Sequence, residues 1–128
     1  MTAIPDVIIQ PRFSETDALG HINNVAISSW IEFGRTRLLA ELAQASAASA
    51  PESWVVVSVL IEFVAESFFG EDVVLKTTKL SFGNTSMTVE CELWQAGRLT
   101  VRGKSVLVHR DAETGAKKPI PAALRQTL

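Results

Sequence analysis

Two segments near the C-terminal end alternate strictly between apolar and polar residues, and this alternation constrains the fold more than any other feature. The positions that share the apolar side are Thr85, Met87, Val89, Cys91 and Leu93, then Leu99, Val101, Gly103, Ser105 and Leu107. Side chains along a β-strand point alternately to opposite faces. Each segment therefore predicts a strand with one buried face, and the two together predict an antiparallel hairpin.

The hairpin loop is predicted to have three residues, and the register of the two strands is open between two arrangements. A two-residue loop at 96–97 would pair apolar positions with charged ones, whereas a three-residue loop at 95–97 with a left-handed glycine keeps the faces matched. The three-residue loop sets Glu90 opposite Arg102, and a shift by two residues sets Glu90 opposite Lys104. In both cases acidic and basic rows meet on the outer face, where an exposed pair contributes only about 0.2–1 kcal/mol.

Residues 24–44 predict a long amphipathic helix of roughly 30 Å, at about 1.5 Å per residue. Its predicted apolar stripe consists of Val25, Trp30, Ile31, Phe33, Leu38, Leu39 and Leu42. Gly34 in the middle costs helix stability, which indicates that another element packs closely against it. Pro51 is expected to lie in the loop that follows the helix.

Further strands are predicted on both sides of this helix. A short strand at 5–13 is weakened by Pro11, which indicates a bend or a sheet edge. After the helix, residues 54–66 predict a strand with one fully buried face, formed by Val55, Val57, Val59, Ile61, Phe63 and Ala65. A turn at 70–72 leads to another strand at 73–82. The order of strand, long helix and four antiparallel strands predicts a single two-layer α+β domain over residues 1–128.

Composition excludes several classes of function. The chain has 128 residues, of which 47% are hydrophobic and 20% charged, so it can build a core. A net charge of −2 argues against a general nucleic-acid binder. The sequence contains no run of 18 apolar residues, so no transmembrane helix is expected. The start MTAIPDVIIQ lacks the pattern of a signal peptide. A single cysteine fits a reducing compartment, so we expect a cytoplasmic protein.

The segment ETDALGHINN, residues 15–24, gathers an acid, a glycine, a histidine and two asparagines before the predicted helix. A helix start binds negative charge through its unpaired amides and its dipole. Asp17 adds a carboxylate there, and Gly20 allows close approach to the backbone. The helix-start amides and the Asp17 carboxylate are the smallest set of groups that acyl hydrolysis requires. The amides stabilise the oxyanion, and the carboxylate activates water or attacks directly.

RFSETDALGHINN followed by WIEFGRTRLL resembles the hotdog-fold acyl-CoA thioesterases of the 4-hydroxybenzoyl-CoA thioesterase type. The shared pattern is an acidic residue, Thr, Asp, a Gly-His step and Asn, then E-x-x-R on the helix. IEFVAESFFGEDVVLKTT resembles the strand and turn that follow, so the resemblance covers about residues 6–122. It implies a hotdog fold, in which a five-stranded antiparallel sheet wraps a long central helix. It also implies subunits paired edge to edge, with active sites at the dimer interface.

The resemblance also implies the site residues. These are Asp17 and His21 as catalytic residues, and Gly20, Asn23, Asn24 and Val25 as the substrate-binding residues around the oxyanion-binding helix start. Three alternatives stay open for individual residues. Asp17 is either a turn or capping residue or catalytic, and in the latter case either general base or nucleophile. His21 is either catalytic or bonded to a backbone carbonyl that it holds in place, and both asparagines can serve as helix caps.

The chain departs from the family pattern at two positions, and the second concerns His21. Many members of the family carry Tyr at the position of Ile27, and the related plant-type acyl-carrier thioesterases carry Asn at the position of Leu19. The Asp-Asn-His arrangement of those enzymes is therefore incomplete in this chain.

Other polar residues have simpler interpretations. Glu32 and Arg35, three residues apart, are expected to pair on the helix. Cys91, on the apolar strand face, is expected to be a buried inert thiol, and His109 a solvated surface residue. Arg98, Arg102 and Lys104 are expected on a solvated strand face, with coenzyme A phosphates as the alternative partner. No Cys/His cluster has metal-ligand spacing and no glycine-rich phosphate loop occurs, so no metal or cofactor is predicted.

The sequence thus predicts an enzyme that hydrolyses an acyl-CoA or acyl-carrier thioester, with coenzyme A as part of the substrate. The alternatives are a hotdog hydratase or dehydratase, whose Asp/His spacing with Asn-Pro is missing here, and a non-catalytic module that binds an acyl thioester. Exposed sheet edges predict a homo-oligomer, at least a dimer. A mixed outer face predicts a further contact that makes a tetramer; its apolar members are Trp54, Val56, Leu60 and Trp94.

Overall fold

The computed structural model describes residues 4–46 and 52–125. Its elements in chain order are β1 (Val7–Ile9), a 3-10 turn (Phe13–Glu15), α1 (Asn24–Ser46), β2 (Glu52–Phe63), β3 (Val73–Phe82), β4 (Ser86–Gln95), β5 (Arg98–Asp111) and α2 (Ala122–Arg125). The five strands form one antiparallel sheet in the order β1-β3-β4-β5-β2. This confirms the predicted α+β hotdog architecture. The loop expected at Pro51 lies outside the described residues.

The long helix packs its buried side against the inner face of the sheet in two clusters. Trp30 and Ile31 pack with Leu75 and Leu93, while Leu38 packs with the far end of the sheet and with α2. Gly34 allows the closest approach between the two layers. A Cβ atom at Gly34 would lie 2.5 Å from Leu75 Cδ1, which confirms the predicted close contact at this glycine.

Two members of the predicted helix stripe are wrong. Val25 is 71% exposed and Phe33 is 46% exposed, whereas Ala26 and Ile27 are buried. Successive residues turn by about 100° around a helix, so Val25 and Phe33 fall outside the sector that the sheet covers. Their apolar side chains remain on the surface of the molecule.

The predicted face of β2 is right only beyond residue 57, where Val59, Ile61 and Phe63 lie opposite inward-facing residues of β5, and it is not fully buried. Two features of the strand account for this. A bulge between Val56 and Ser58 changes which side chains face inward, so Trp54 and Val56 lie opposite the buried residues of β5 rather than on the outer face. In addition, β2 is an outer strand of the sheet, with β5 as its neighbour on one side. Val57 is therefore 58% exposed and Phe63 55% exposed.

The β4–β5 hairpin has a two-residue turn, so the predicted three-residue loop is wrong. Ala96 and Gly97 both have positive φ, 51° and 74°, as the tightest hairpin turn requires. The faces stay matched because β5 contains an irregularity at Thr100. Thr100 Oγ1 donates to the Leu93 carbonyl at 3.1 Å, and the register beyond it sets Glu90 opposite Lys104, the second predicted alternative.

The two ends of the described chain differ from prediction. β1 has only three residues, so the strand predicted over 5–13 is shorter than expected.

His109, predicted to be solvated, is fully buried. Its ring packs on Trp54 with centroids 4.7 Å apart, and its Nδ1 lies 3.2 Å from the carbonyl oxygens of Lys118 and Pro119, because the tail folds back over β5. Within 4–46 and 52–125, no helix is long and apolar enough to cross a membrane.

Candidate active site

The predicted site segment forms a closed loop between the 3-10 turn and α1. Thr16 and Ile22 pair as an antiparallel bridge. Inside this bridge the Asp17 amide donates to the His21 carbonyl at 2.7 Å. Gly20 turns the chain with φ of +82°, a conformation that residues with a side chain rarely adopt. The glycine is thus needed for the loop itself, in addition to any ligand approach.

The carboxylate of Asp17 has two distinct oxygens. Oδ1 accepts the backbone amides of Leu19 at 2.8 Å and of His21 at 3.1 Å, which is the local turn-stabilising role typical of aspartate. Oδ2 has no hydrogen-bond partner among the described residues. Asp17 is exposed, so Oδ2 faces solvent. One oxygen therefore holds the loop, and the other is free for chemistry.

The helix start offers two unpaired backbone amides. Asn23 Oδ1 accepts the amide of Ala26 at 2.8 Å, so Asn23 is the helix cap, as predicted. Asn24 is the first helical residue, so its predicted role as a cap is wrong. In the described part of the chain, the amides of Asn24 and Val25 have no acceptor, and both residues are exposed. A helix start with free amides is suited to bind an oxyanion.

The side chain of His21 pairs with Glu66, a residue that sequence reasoning missed. His21 Nε2 lies 2.9 Å from Glu66 Oε2. The imidazole also packs edge-to-face on Phe68, with ring centroids 5.2 Å apart. Glu66 lies on the loop after β2, 45 positions from His21, so no local pattern in the sequence links the two residues. Of the two roles left open for His21, the bond from its side chain to a backbone carbonyl is not found among the described residues, and the ring bonds to the Glu66 carboxylate instead.

The β2–β3 loop is held beside the site by Gln95, the last residue of β4. Gln95 Oε1 accepts the amide of Phe68 at 2.9 Å, while its Nε2 donates to the carbonyls of Phe68 at 2.7 Å and Glu71 at 2.9 Å. Sequence reasoning did not select Gln95. A signal existed, because the alternation that turns Leu93 inward also turns Gln95 inward, and a buried amide needs partners.

Apolar side chains surround this corner of the molecule, and we call them the apolar rim. Its members are Phe13, Leu19, Val25, Phe63 and Phe69, each more than half exposed. Phe13 and Phe69 contact each other edge-to-face, with centroids 5.8 Å apart. A cavity of about 120 Å³ opens beside Phe69, between the β2–β3 loop and the β4–β5 turn. The site is thus polar at its centre and apolar around it.

Glu15, the acid that begins the motif, has a structural role. Its Oε2 accepts the indole N–H of Trp30 at 3.0 Å, and its Oε1 accepts the amide of Arg12 at 2.7 Å. The predicted pair on the helix is wrong: Arg35 donates to Ser105 Oγ at 3.1 Å instead, and no ion pair within 4 Å joins it to Glu32.

Most of the remaining candidates lie away from the site, but Arg98 is exposed and borders the same cavity as Glu66 and Phe69. Cys91 is buried, and burial raises the pKa of its thiol to about 11, which confirms the prediction of an inert thiol. Arg102 and Lys104 lie on the outer face opposite Glu92 and Glu90. Among the described residues, no group of three or more His, Cys, Asp or Glu side chains is placed to hold a metal ion.

The fold of this chain is similar to that of several proteins of known structure. The chain is similar in structure to a predicted thioesterase from Bacillus stearothermophilus, with 34% identity, a TM-score of 0.82 and coverage of 94% of this chain and 90% of that one. It is similar to a thioesterase superfamily protein from Jannaschia sp., with 30% identity, a TM-score of 0.83 and coverage of 94% and 77%. A thioesterase from Thermus thermophilus, solved with coenzyme A and zinc, is 26% identical, with a TM-score of 0.76 and coverage of 94% and 87%.

A search among curated proteins found no match. The profile of the thioesterase-like superfamily matches residues 11–128, which is nearly the whole chain. The chain therefore belongs to the thioesterase-like superfamily.

Proposed function

We propose that this protein is an acyl-CoA thioesterase whose active site is the closed loop at the start of α1. One observation carries the proposal: the Asp17 carboxylate keeps a free Oδ2, and the same segment ends in two unpaired amides, those of Asn24 and Val25. A carboxylate and oxyanion donors are the two components that thioester hydrolysis needs. The Thermus thermophilus relative was solved with coenzyme A, which supports that carrier.

The reaction follows from these groups. The thioester oxygen accepts hydrogen bonds from the helix-start amides, which stabilise the negative charge that develops on it. Water attacks the carbonyl carbon while its proton passes to Asp17 Oδ2. The C–S bond then breaks with its electron pair on sulphur, and the proton passes on to the thiolate. Direct attack by Asp17, followed by hydrolysis of the anhydride, gives the same products.

We further propose that the active enzyme is at least a homodimer formed through the free edge of β2. The exposed apolar side chains of this strand are Val56, Val57, Val59, Leu60 and Phe63. An exposed apolar edge strand is a template for pairing with another strand. Because Phe63 belongs to the apolar rim, a partner at this edge would also cover one side of the site and exclude water from the acyl group.

A non-catalytic acyl-thioester-binding module is the second candidate. The observation that favours it is the bond of Asp17 Oδ1 to the amides of Leu19 and His21, which gives the aspartate a structural role. In that case the free amides would bind the thioester without turnover. The two candidates differ only in whether Asp17 Oδ2 takes part in a reaction.

The deciding experiment follows the products formed from a panel of acyl-CoA thioesters of varied chain length and aromaticity. Release of free thiol and carboxylic acid in equal amounts is the expected result. A change at the acyl double bond without thiol release would support a hydratase or dehydratase instead. Saturable binding of acyl-CoA with no product would support the binding module and overturn the proposed hydrolase.

A further inference from the structure

The hydrogen bond between His21 and Glu66 joins the two loops that border the proposed site. His21 Nε2 and Glu66 Oε2 lie 2.9 Å apart, and the side chains are 26% and 62% exposed, respectively. Neither residue has another charged partner within 4 Å in the described ranges. The contact is therefore a specific pair rather than part of a surface network.

The His21 imidazole is fixed from several directions. Its backbone is bonded on both sides to Asp17, with the amide donating to Oδ1 and the carbonyl accepting from the Asp17 amide. Its ring packs against Phe68, whose amide and carbonyl are both bonded by Gln95. The backbone bonds and the contact with Phe68 restrict the position of the ring. The hydrogen bond to Glu66 then fixes the remaining rotation, which is the one about the Cβ–Cγ bond of His21.

The chemistry of the pair also selects a tautomer. An ionised carboxylate only accepts hydrogen bonds, so Nε2 of His21 must carry the proton that Glu66 accepts. The neutral ring then has its lone pair on Nδ1, which has no hydrogen-bond partner among the described residues. We propose that Glu66 is a positioning residue that holds His21 as the Nε2–H tautomer, so that Nδ1 is left as a hydrogen-bond acceptor toward water or substrate while Asp17 remains the proton acceptor.

This inference rests on the proposed function for its kinetic part only. The state of the ring is a property of the free protein and can be measured without any substrate. Failure of the positioning role and failure of the thioesterase assignment are therefore distinguishable.

The test compares Glu66→Ala, Glu66→Gln and the control Glu71→Ala. Glu71 is a carboxylate of the same loop and borders the same cavity, but its backbone carbonyl, not its carboxylate, bonds to Gln95. Thermal melting establishes that each variant is folded. Long-range ¹⁵N–¹H spectra at alkaline pH then report the ring protons of His21, with His109 as an internal reference.

The expected spectra show one Nε2–H tautomer of His21 in the wild type and in Glu71→Ala. Glu66→Ala is expected to give a mixture of tautomers, and Glu66→Gln an intermediate state, because its amide oxygen still accepts the Nε2 proton. A ring whose tautomer and linewidths are unchanged in a folded Glu66→Ala protein would overturn the proposal.

The second part of the test is steady-state kinetics on the acyl-CoA thioester that the wild type hydrolyses fastest. Glu66→Ala is expected to lower kcat roughly five- to tenfold with little change in KM, the size typical of losing one partly exposed charge-assisted hydrogen bond. In a His21→Ala background the same substitution is expected to change kcat less than twofold, because the residue acts through the histidine. Equal losses of kcat in both backgrounds would contradict the positioning role.

Discussion

Replacing the cap residue Asn23 by Asp is expected to raise stability and lower activity together. The cap is kept, because an aspartate oxygen can accept the Ala26 amide that Asn23 Oδ1 accepts at 2.8 Å. A negative charge at the helix start adds about 0.3–1 kcal/mol to the free energy of unfolding. The same charge lies close to the amides of Asn24 and Val25, where the proposed oxyanion forms.

The size of the kinetic effect follows from Coulomb's law. Two like charges roughly 5 Å apart repel by about 3 kcal/mol at an effective dielectric constant of about 20. Exposure of the helix start reduces this to about 1–2 kcal/mol, which corresponds to a loss of roughly 5- to 30-fold in kcat. Urea unfolding and steady-state thiol release measure the two effects on the same samples.

Asn84→Asp is the matched control for Asn23→Asp. It makes the same chemical change in the turn between β3 and β4, where the backbone carbonyl of Asn84 accepts the amide of Ile120. Its turnover is expected to equal that of the wild type. An Asn23→Asp protein that is more stable and fully active would refute the assignment of the helix-start amides as the oxyanion site.

Three further predictions concern packing, titration and assembly. Gly34→Ala is expected to destabilise the protein by about 1–3 kcal/mol in urea unfolding, because the new Cβ would lie 2.5 Å from Leu75 Cδ1; a stabilised variant would mean that the helix–sheet contact is loose. Burial raises the pKa of Cys91 from 9.0 to about 11, so the folded state holds the thiol proton more tightly than the unfolded state. Stability is therefore expected to fall as pH rises from 9 to 11, and Cys91→Ala should lack this component of the pH dependence when unfolding is measured across that window. Val59→Lys, on the free edge of β2, is expected to shift the mass in light scattering toward the monomer, whereas Ile8→Lys on the opposite edge strand should not; equal masses for both would contradict assembly through β2.

The alternating strands could be predicted from the sequence because their pattern depends only on local geometry. Met87, Val89 and Leu93 alternate without interruption, and their burial follows directly from the two-residue period of a strand. β2 could not be predicted in the same way. Its bulge near Val57 shifts the period by one residue, and its place at the edge of the sheet depends on strand order, which no local pattern encodes.

In the site, too, the residues within the motif could be predicted from the sequence, whereas the residues that reach it from distant parts of the chain could not. The motif located the loop and its carboxylate. Turn chemistry predicted two asparagine caps, of which Asn23 is one, and offered the local bonding of Asp17 only as an alternative to catalysis. Glu66 and Gln95 were missed because each reaches the site from a separate part of the chain. Their partners, His21 and Phe68, are 45 and 27 positions away, respectively, and become neighbours only when the sheet has formed.

The most direct measurement is the rate of thiol release by Asp17→Asn beside the wild type, on whichever acyl-CoA the panel identifies. Asn keeps an Oδ1 that can accept the amides of Leu19 and His21, so the loop and the melting temperature are expected to be unchanged. It replaces the free Oδ2 by an amide nitrogen that can neither take a proton from water nor attack a carbonyl. We expect a folded protein that still binds acyl-CoA and has lost turnover by roughly 10²–10⁴-fold. A folded Asp17→Asn protein with nearly wild-type turnover would rule out Asp17 as the catalytic carboxylate.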